Sequence, residues 1–196
     1  MRSGREAILS AAIRVFAEQG YAGASTRAIC QAAGITKPVL YYHFCGKEHL
    51  FTELLIDCFG HYRKLLLRAS QVQGSVEERL ANILWTDYQD ARKNPQRVRF
   101  MLRMFFSPEE KHPHFDFIRE LESQRKLITS VFREAIQDGY LKGSPKELAT
   151  AMMSLELYAI LEYLYTGRPT LTRARAEASV NLLLIGAMNR KVYRSV

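Results

Sequence analysis

The sequence predicts an all-α protein of about nine helices, three short ones at the N-terminus and a larger helical bundle behind them. Three observations predict it. Apolar residues recur every three to four positions along nearly the whole chain. The breaks between these segments carry helix punctuation, with Ser or Thr before a segment and Gly, Asn-Pro or Ser-Pro after it. No stretch alternates apolar and polar residues as a half-buried strand would.

Each element follows in order. From Arg5 to Gln19 the stripe Ile8, Ala12, Val15 and Phe16 is widened by Leu9 and Ile13, and Gly20 is the expected stop. Ser25 or Thr26 caps a short second helix that ends at Gly34. Thr36 caps a third, with Pro38 in the first turn, where backbone amides have no helical partner, and an end near Phe44. A fourth helix opens at Lys47-Glu48 and runs towards Ser70. Ser75 and Glu78 form a capping box for a fifth, which ends near Lys93. Asn94-Pro95 breaks the chain before a sixth helix through Phe106. After the loop Ser107–Pro113, a seventh covers His114 to Asp138. Ser144 and Glu147 form a second capping box for an eighth helix to Tyr165, and the last spans Arg173 to about Asn189. The expected domains are residues 1–49, a helix-turn-helix unit, and 50–196, a helical bundle.

The totals narrow the class. The chain has 196 residues, 47% of them hydrophobic and 24% charged, which describes a folded protein. Its formal charge of +8 makes a polyanionic partner plausible. The excess is spread along the chain, since residues 1–49 hold six Lys/Arg against three acids. Three cysteines without a CxxC pair suggest a reducing compartment and no disulfide framework. No signal-peptide pattern and no apolar run of ~18 residues is present. The expected localisation is therefore cytoplasmic.

The stretch GITKPVLYYHF, Gly34 to Phe44, is the most informative. Two short helices joined at a glycine make a helix-turn-helix. In the second of them Leu40 and Phe44, four residues apart, can face inward. Thr36, Lys37, Val39, Tyr41, Tyr42 and His43 are left facing out. An ordinary surface would use Glu, Lys and Ala there. A helix in the DNA major groove instead needs hydrogen-bonding tips for phosphates and a few side chains for base edges. Val39 suits a thymine methyl, Lys37 a guanine or a phosphate, and the tyrosine hydroxyls and His43 suit phosphate oxygens. The alternative is that the aromatic side chains simply pack in the core.

STRAICQAAGITKPVLYYHFCGKEHLF, Ser25 to Phe51, resembles the DNA-binding domain of the TetR/AcrR family of bacterial transcriptional repressors. The matching features are the capped helix Thr26–Ala33, the AAGIT turn, the LYYHF recognition helix and GKEHLF entering the fourth helix. The resemblance covers residues 5–51; beyond it, only the helix count and DGYLKGSPKELA (Asp138–Ala149) are similar. It implies that Thr26 and Arg27 meet phosphate and sometimes a base. Lys37, Pro38 and Val39 would read bases, while Tyr42 and His43 clamp phosphates. Lys47 would hold a phosphate together with the helix amides. The Tyr41 position packs in some relatives. Cys30 and Cys45 depart from the family pattern, replacing a common alanine and a common proline or polar residue.

The resemblance further implies a nucleoid-associated bacterial homodimer that binds a near-palindromic operator and is released by a small-molecule inducer. The last two helices, about residues 146–190, carry more apolar surface than one inner face needs and are the expected dimer contact. Candidate ligand residues are Trp85, Tyr88, Arg99, Phe100, Arg103 and Met104. Arg99 and Arg103 share a helix face, which suits a fatty acyl or acyl-coenzyme-A ligand. The alternative is core packing for the aromatics and pairing with Glu109, Glu110, Asp116 or Glu120 for the arginines. No cofactor and no metal site are expected, since His112-Pro-His114 and His43-x-Cys45 lack further ligands. Cys58 is expected buried and inert. No Asp/Glu pair stands out from ordinary surface charge, no phosphate loop or nucleophile elbow is present, and no enzyme is expected. The rival reading is an architectural or cell-division DNA-binding protein whose bundle recruits a protein partner.

Overall fold

The structure, a computed structural model, describes residues 4–107 and 112–188. Among these residues there are nine α-helices and no strand. They are α1 (Gly4–Gly23), α2 (Thr26–Ala33), α3 (Lys37–His43), α4 (Lys47–Ser70), α5 (Val76–Lys93), α6 (Pro95–Phe105), α7 (Phe117–Gln137), α8 (Pro145–Thr166) and α9 (Arg173–Ile185). The all-α class is as the sequence predicts. Three boundaries differ. α1 resumes after Gly20, whose φ of 71° and ψ of 175° break the helix without ending it. α7 begins at Phe117 because the residues from Pro113 to Asp116 are not helical and the Phe117 amide donates to Phe115 O. α9 stops at Ile185 before Gly186, and Asn189 lies outside the described residues, as do Glu109 and Glu110.

The chain forms two compact units, the first comprising residues up to His61 together with Asn94–Phe117. Its core is built from Ile8, Val15 and Phe16 of α1, Ile29 of α2, Leu40 of α3, Phe51, Leu54 and Leu55 of α4, and Phe100 and Met104 of α6. Phe51 meets Phe16 edge-on at 5.4 Å and Phe100 at 6.0 Å, the offset geometry aromatic rings prefer. α6 packs along α1. There Arg103 donates to Ala17 O at 3.3 Å and Glu18 O at 3.0 Å, satisfying carbonyls that the break at Gly20 leaves unpaired. Gly20 is needed twice over, for its positive φ and because a Cβ there would lie 3.2 Å from Arg103 Nε.

The second unit holds residues 62–93 and 118–196, so α4 contributes its first part to one unit and its last turns to the other. α5 packs against α8 and α9. Ser75 and Glu78 make both halves of their capping box, Glu78 N to Ser75 Oγ at 3.2 Å and Ser75 N to Glu78 Oε2 at 2.8 Å. Ser144 caps α8 through the Glu147 amide. Tyr88 is fully buried, and its hydroxyl accepts from Thr170 N at 2.8 Å and Leu171 N at 3.3 Å, which ties the α8–α9 connection to α5.

One expectation needs correcting. Asp87 and Glu156 are not ordinary surface charges; both are buried in this second unit. The Tyr62 hydroxyl lies 3.2 Å from Asp87 Oδ2 and 3.4 Å from Glu156 Oε2. Burial pushes the Asp87 carboxyl up to about 7, the Tyr62 hydrogen bond opposes that, and the Asp90 charge adds to it. Burial, then the Asp87 charge, push Glu156 well above the usual carboxylate range. Each is the lone charged residue of its stretch, ILWTDY and SLELYAI.

A carboxyl with a raised folded-state pKa binds more protons folded than unfolded, so its contribution is full below pH ~4 and is lost as pH rises towards ~7. The slope is up to about 1.4 kcal/mol per pH unit for each proton. We expect denaturant unfolding of the wild-type protein to lose stability from pH 4 to 7 relative to Asp87→Asn; parallel pH profiles would remove the buried pair as the cause.

Candidate nucleic-acid interface

α2 is a capped, eight-residue helix. Ser25 Oγ accepts from the Ala28 amide at 3.1 Å, so Ser25 rather than Thr26 is the cap. Gly34 closes the helix in the left-handed region, φ 66° and ψ 34°, with its N–H returned to the last turn. Ile35 N donates to Cys30 O at 3.0 Å, which fixes the turn into α3. Arg14 of α1 donates to Ala32 O at 3.1 Å.

α3 has seven residues. Thr36 occupies the N-cap position without a side-chain capping bond, and Pro38 supplies the first-turn φ. Leu40 is fully buried and Phe44 nearly so. Thr36, Lys37, Pro38, Val39, Tyr41 and Tyr42 are exposed, Tyr42 to 85%. Tyr42 and His43 meet edge to face at 4.9 Å. His43 is half-buried against the start of α1, where a Cβ on Gly4 would lie 3.2 Å from its Nε2. Thr26 is half-buried and Arg27 exposed at the start of α2.

Lys47 does more than face solvent. Its ammonium donates to Tyr21 O and Ala24 O, both at 3.0 Å, and sits 4.3 Å from the centre of the Tyr21 ring. Those carbonyls end α1 and enter α2, so Lys47 holds the loop between them. Arg5 likewise bonds Glu53 at 2.7 Å and lies over the Phe44 ring at 5.6 Å. Neither partner set was legible in the sequence, since Tyr21 and Glu53 are remote from Lys47 and Arg5 in the chain. A cation beside a terminal helix carbonyl leaves no periodic signal.

The candidate ligand residues divide between the two units. Phe100 and Met104 are closed into the core of the first unit. Arg103 of that unit is engaged with the α1 carbonyls, and Arg99 is exposed. Trp85 and Tyr88 belong to the second unit, their rings 6.3 Å apart, and the Tyr88 hydroxyl is taken by backbone amides. Cys58 is buried, its thiol pushed up to about 12 by burial, and is therefore unreactive as a nucleophile. His112 is buried, bonds the Pro113 carbonyl and lies against Phe51 and Phe117.

The geometry is a helix-turn-helix with a short second helix whose outer face is polar, aromatic and open. Residues 8–54 match the family described as "Bacterial regulatory proteins, tetR family". The chain is 29% identical over 146 residues to the HTH-type transcriptional repressor KstR2 of Mycolicibacterium smegmatis, a match spanning 70% of this chain and 67% of that protein. Its fold is similar to that of the fatty acid degradation regulator FadR from Bacillus halodurans, with a TM-score of 0.75 at 18% identity over 94% of this chain and 96% of that one. It is also similar to FadR from Bacillus subtilis in complex with stearoyl-CoA, with a TM-score of 0.72 at 16% identity over 92% and 98%. Residues 8–54 thus form a helix-turn-helix of the TetR-family type, and the nine-helix fold of the described residues is similar to that of solved TetR-family regulators.

Proposed function

We propose that the protein is a ligand-responsive repressor that binds a near-palindromic operator as a homodimer in the bacterial cytoplasm and is released by a small amphipathic molecule. The observation that carries this reading is the outer face of α3, open while Leu40 and Phe44 anchor its inner face. Lys37, Pro38 and Val39 stand at the front of α3, where side chains reach base edges. Thr26, Arg27, Thr36, Tyr41, Tyr42 and His43 surround them with hydroxyl, guanidinium and imidazole groups for phosphates. Lys47 has one N–H beyond the two it spends on carbonyls, so it can hold the loop and still meet a phosphate.

Dimerisation is supported by the face of α8 and α9 that carries Leu157, Tyr158, Leu161, Tyr165, Leu182 and Ile185, all exposed, Tyr165 to 93%. Apolar side chains in such number on two helices suit a helix-on-helix contact with a second copy. Two recognition helices then stand about one DNA turn apart, ~34–36 Å. The division into a DNA-binding head, residues 1–49, and a helical body, 50–196, follows from these roles.

The ligand class is supported by the fold relatives, one a regulator of fatty acid degradation and one in complex with stearoyl-CoA. An amphipathic ligand that binds better to a dimer with differently spaced heads shifts the population off DNA. Operator DNA then weakens ligand binding by the same factor. α4, continuous from Lys47 to Ser70, is the covalent link through which the two tasks communicate.

Three outcomes are expected. In a binding-site selection followed by salt titration, Lys37→Ala changes the preferred sequence, whereas Tyr42→Phe weakens all duplexes alike by about tenfold or less; an unchanged preference for Lys37→Ala removes its base-reading role. Lys47→Met lowers stability by about 2 kcal/mol in thermal unfolding, because two charge-assisted bonds to backbone carbonyls go with it. It also lowers the slope of affinity against salt, and loss of stability with an unchanged slope would leave Lys47 a purely structural residue. Tyr158→Asp combined with Leu182→Asp gives a folded monomer in sedimentation with weakened operator binding; a persistent dimer would move the interface elsewhere.

A further inference from the structure

The cluster of Tyr62 from α4, Asp87 from α5 and Glu156 from α8 is polar, buried and incompletely satisfied. A phenol carries one proton. Tyr62 Oη nevertheless lies within hydrogen-bond distance of two carboxyl oxygens, Asp87 Oδ2 at 3.2 Å and Glu156 Oε2 at 3.4 Å. It can donate to only one. The other contact is bonding only if that carboxyl brings its own proton and donates to Tyr62 Oη. At least one of the two carboxyls is therefore protonated when both contacts are bonding. Tyr62 itself keeps its proton, because burial and the two acids push it well above the usual phenol range.

This proton chain consumes Asp87 Oδ2, Tyr62 Oη and Glu156 Oε2. It leaves Glu156 Oε1 buried with no hydrogen-bond partner among the described residues. Glu156 is 4% exposed and Asp87 5%, so both are shielded from bulk solvent. The Asp90 charge, one turn beyond Asp87 on α5, disfavours the Asp87 carboxylate further. An orphaned acceptor in low dielectric is costly, and an acidic one is costlier.

We propose that this cluster is a ligand-recognition centre, and that Glu156 Oε1 accepts a hydrogen bond from an O–H or N–H donor at the polar end of an otherwise apolar effector. The proposal rests on the ligand-responsive reading and narrows the ligand's chemistry. An unmodified acyl chain offers the centre nothing, whereas a hydroxylated or amine-bearing one completes it. A neutral hydroxyl leaves the shared proton in place. A protonated amine makes an ion pair with both carboxylates and expels that proton, so its binding strengthens as pH rises while the amine stays charged. A carboxylate head meets a negative, acceptor-only surface and is rejected.

Trp85 is the chain's single tryptophan and stands two residues before Asp87 on α5, so its fluorescence reports on binding. The test titrates dodecan-1-ol, dodecylamine and dodecanoate into the wild-type protein, Glu156→Leu and Glu156→Gln, with circular dichroism as the check on folding. The expected result is that dodecan-1-ol, dodecylamine or both bind wild type at least roughly tenfold more tightly than dodecanoate. Glu156→Leu abolishes this preference. Glu156→Gln, which keeps a carbonyl acceptor but no charge, retains dodecan-1-ol and weakens dodecylamine. The source of the donor is read from pH: affinity constant from pH 6 to 8 for the alcohol, rising for the amine.

The proposal is overturned if dodecanoate binds as tightly as the donors, if none of the three binds, or if folded Glu156→Leu and Glu156→Gln both keep the wild-type pattern. Operator binding is followed in the same samples. If a selected operator is released by some other compound while the donors bind nothing, the centre fails and the regulator reading stands. If wild type prefers no duplex sequence, the regulator reading itself fails.

Discussion

A helix of seven residues does not hold itself together in water, because nucleation costs more than its few hydrogen bonds return. α3 is helical because Leu40 and Phe44 are set into the core formed by α1, α2 and α4. Burying those two side chains fixes the rotation of the helix about its axis. Once that rotation is fixed, Lys37, Val39, Tyr41 and Tyr42 have nowhere to go but outward. The functional face of the head is thus a by-product of how its inner face is anchored. Fully burying a leucine and a phenylalanine is worth about 1.5–3 kcal/mol each, which is enough to order so short a segment on a preformed support.

That support depends on cations placed against backbone oxygens. α1 is interrupted at Gly20, and the carbonyls exposed there and just beyond are taken by Arg103 from α6 and Lys47 from α4. Arg14 answers the end of α2 in the same way. Each contact places positive charge at the negative end of a helix dipole. Part of the chain's basic excess is therefore committed to its own architecture, and the +8 formal charge overstates what is free to face a polyanion. Lys47 stands at the junction of the two uses, which is why its substitution is read by stability and by salt dependence together.

The second unit is organised differently. Its helices close over apolar side chains, yet keep two carboxyls and a phenol together inside. Hydrophobic residues of similar volume would pack there at no electrostatic cost. A cluster that costs stability at neutral pH and leaves one acceptor open is better explained by something it binds than by the fold it weakens.

The sequence by itself determined the all-α class, most of the helix boundaries and the inward pair Leu40 and Phe44, because caps, glycine stops and a 3.6-residue period are local signals. Ser75 with Glu78 and Gly34 are such signals, and each acts where it stands in the chain. The start of α7 at Phe117 was not legible, since a non-helical proline segment and a first helical turn differ little in composition. Only the tertiary structure decided which charged residues are occupied and which are buried. Lys47 reaches Tyr21 O, Arg103 reaches Glu18 O, and Asp87 and Glu156 meet through Tyr62 across 25 and 94 positions of chain. Such pairings are created by packing between helices, and no periodicity within one helix encodes them.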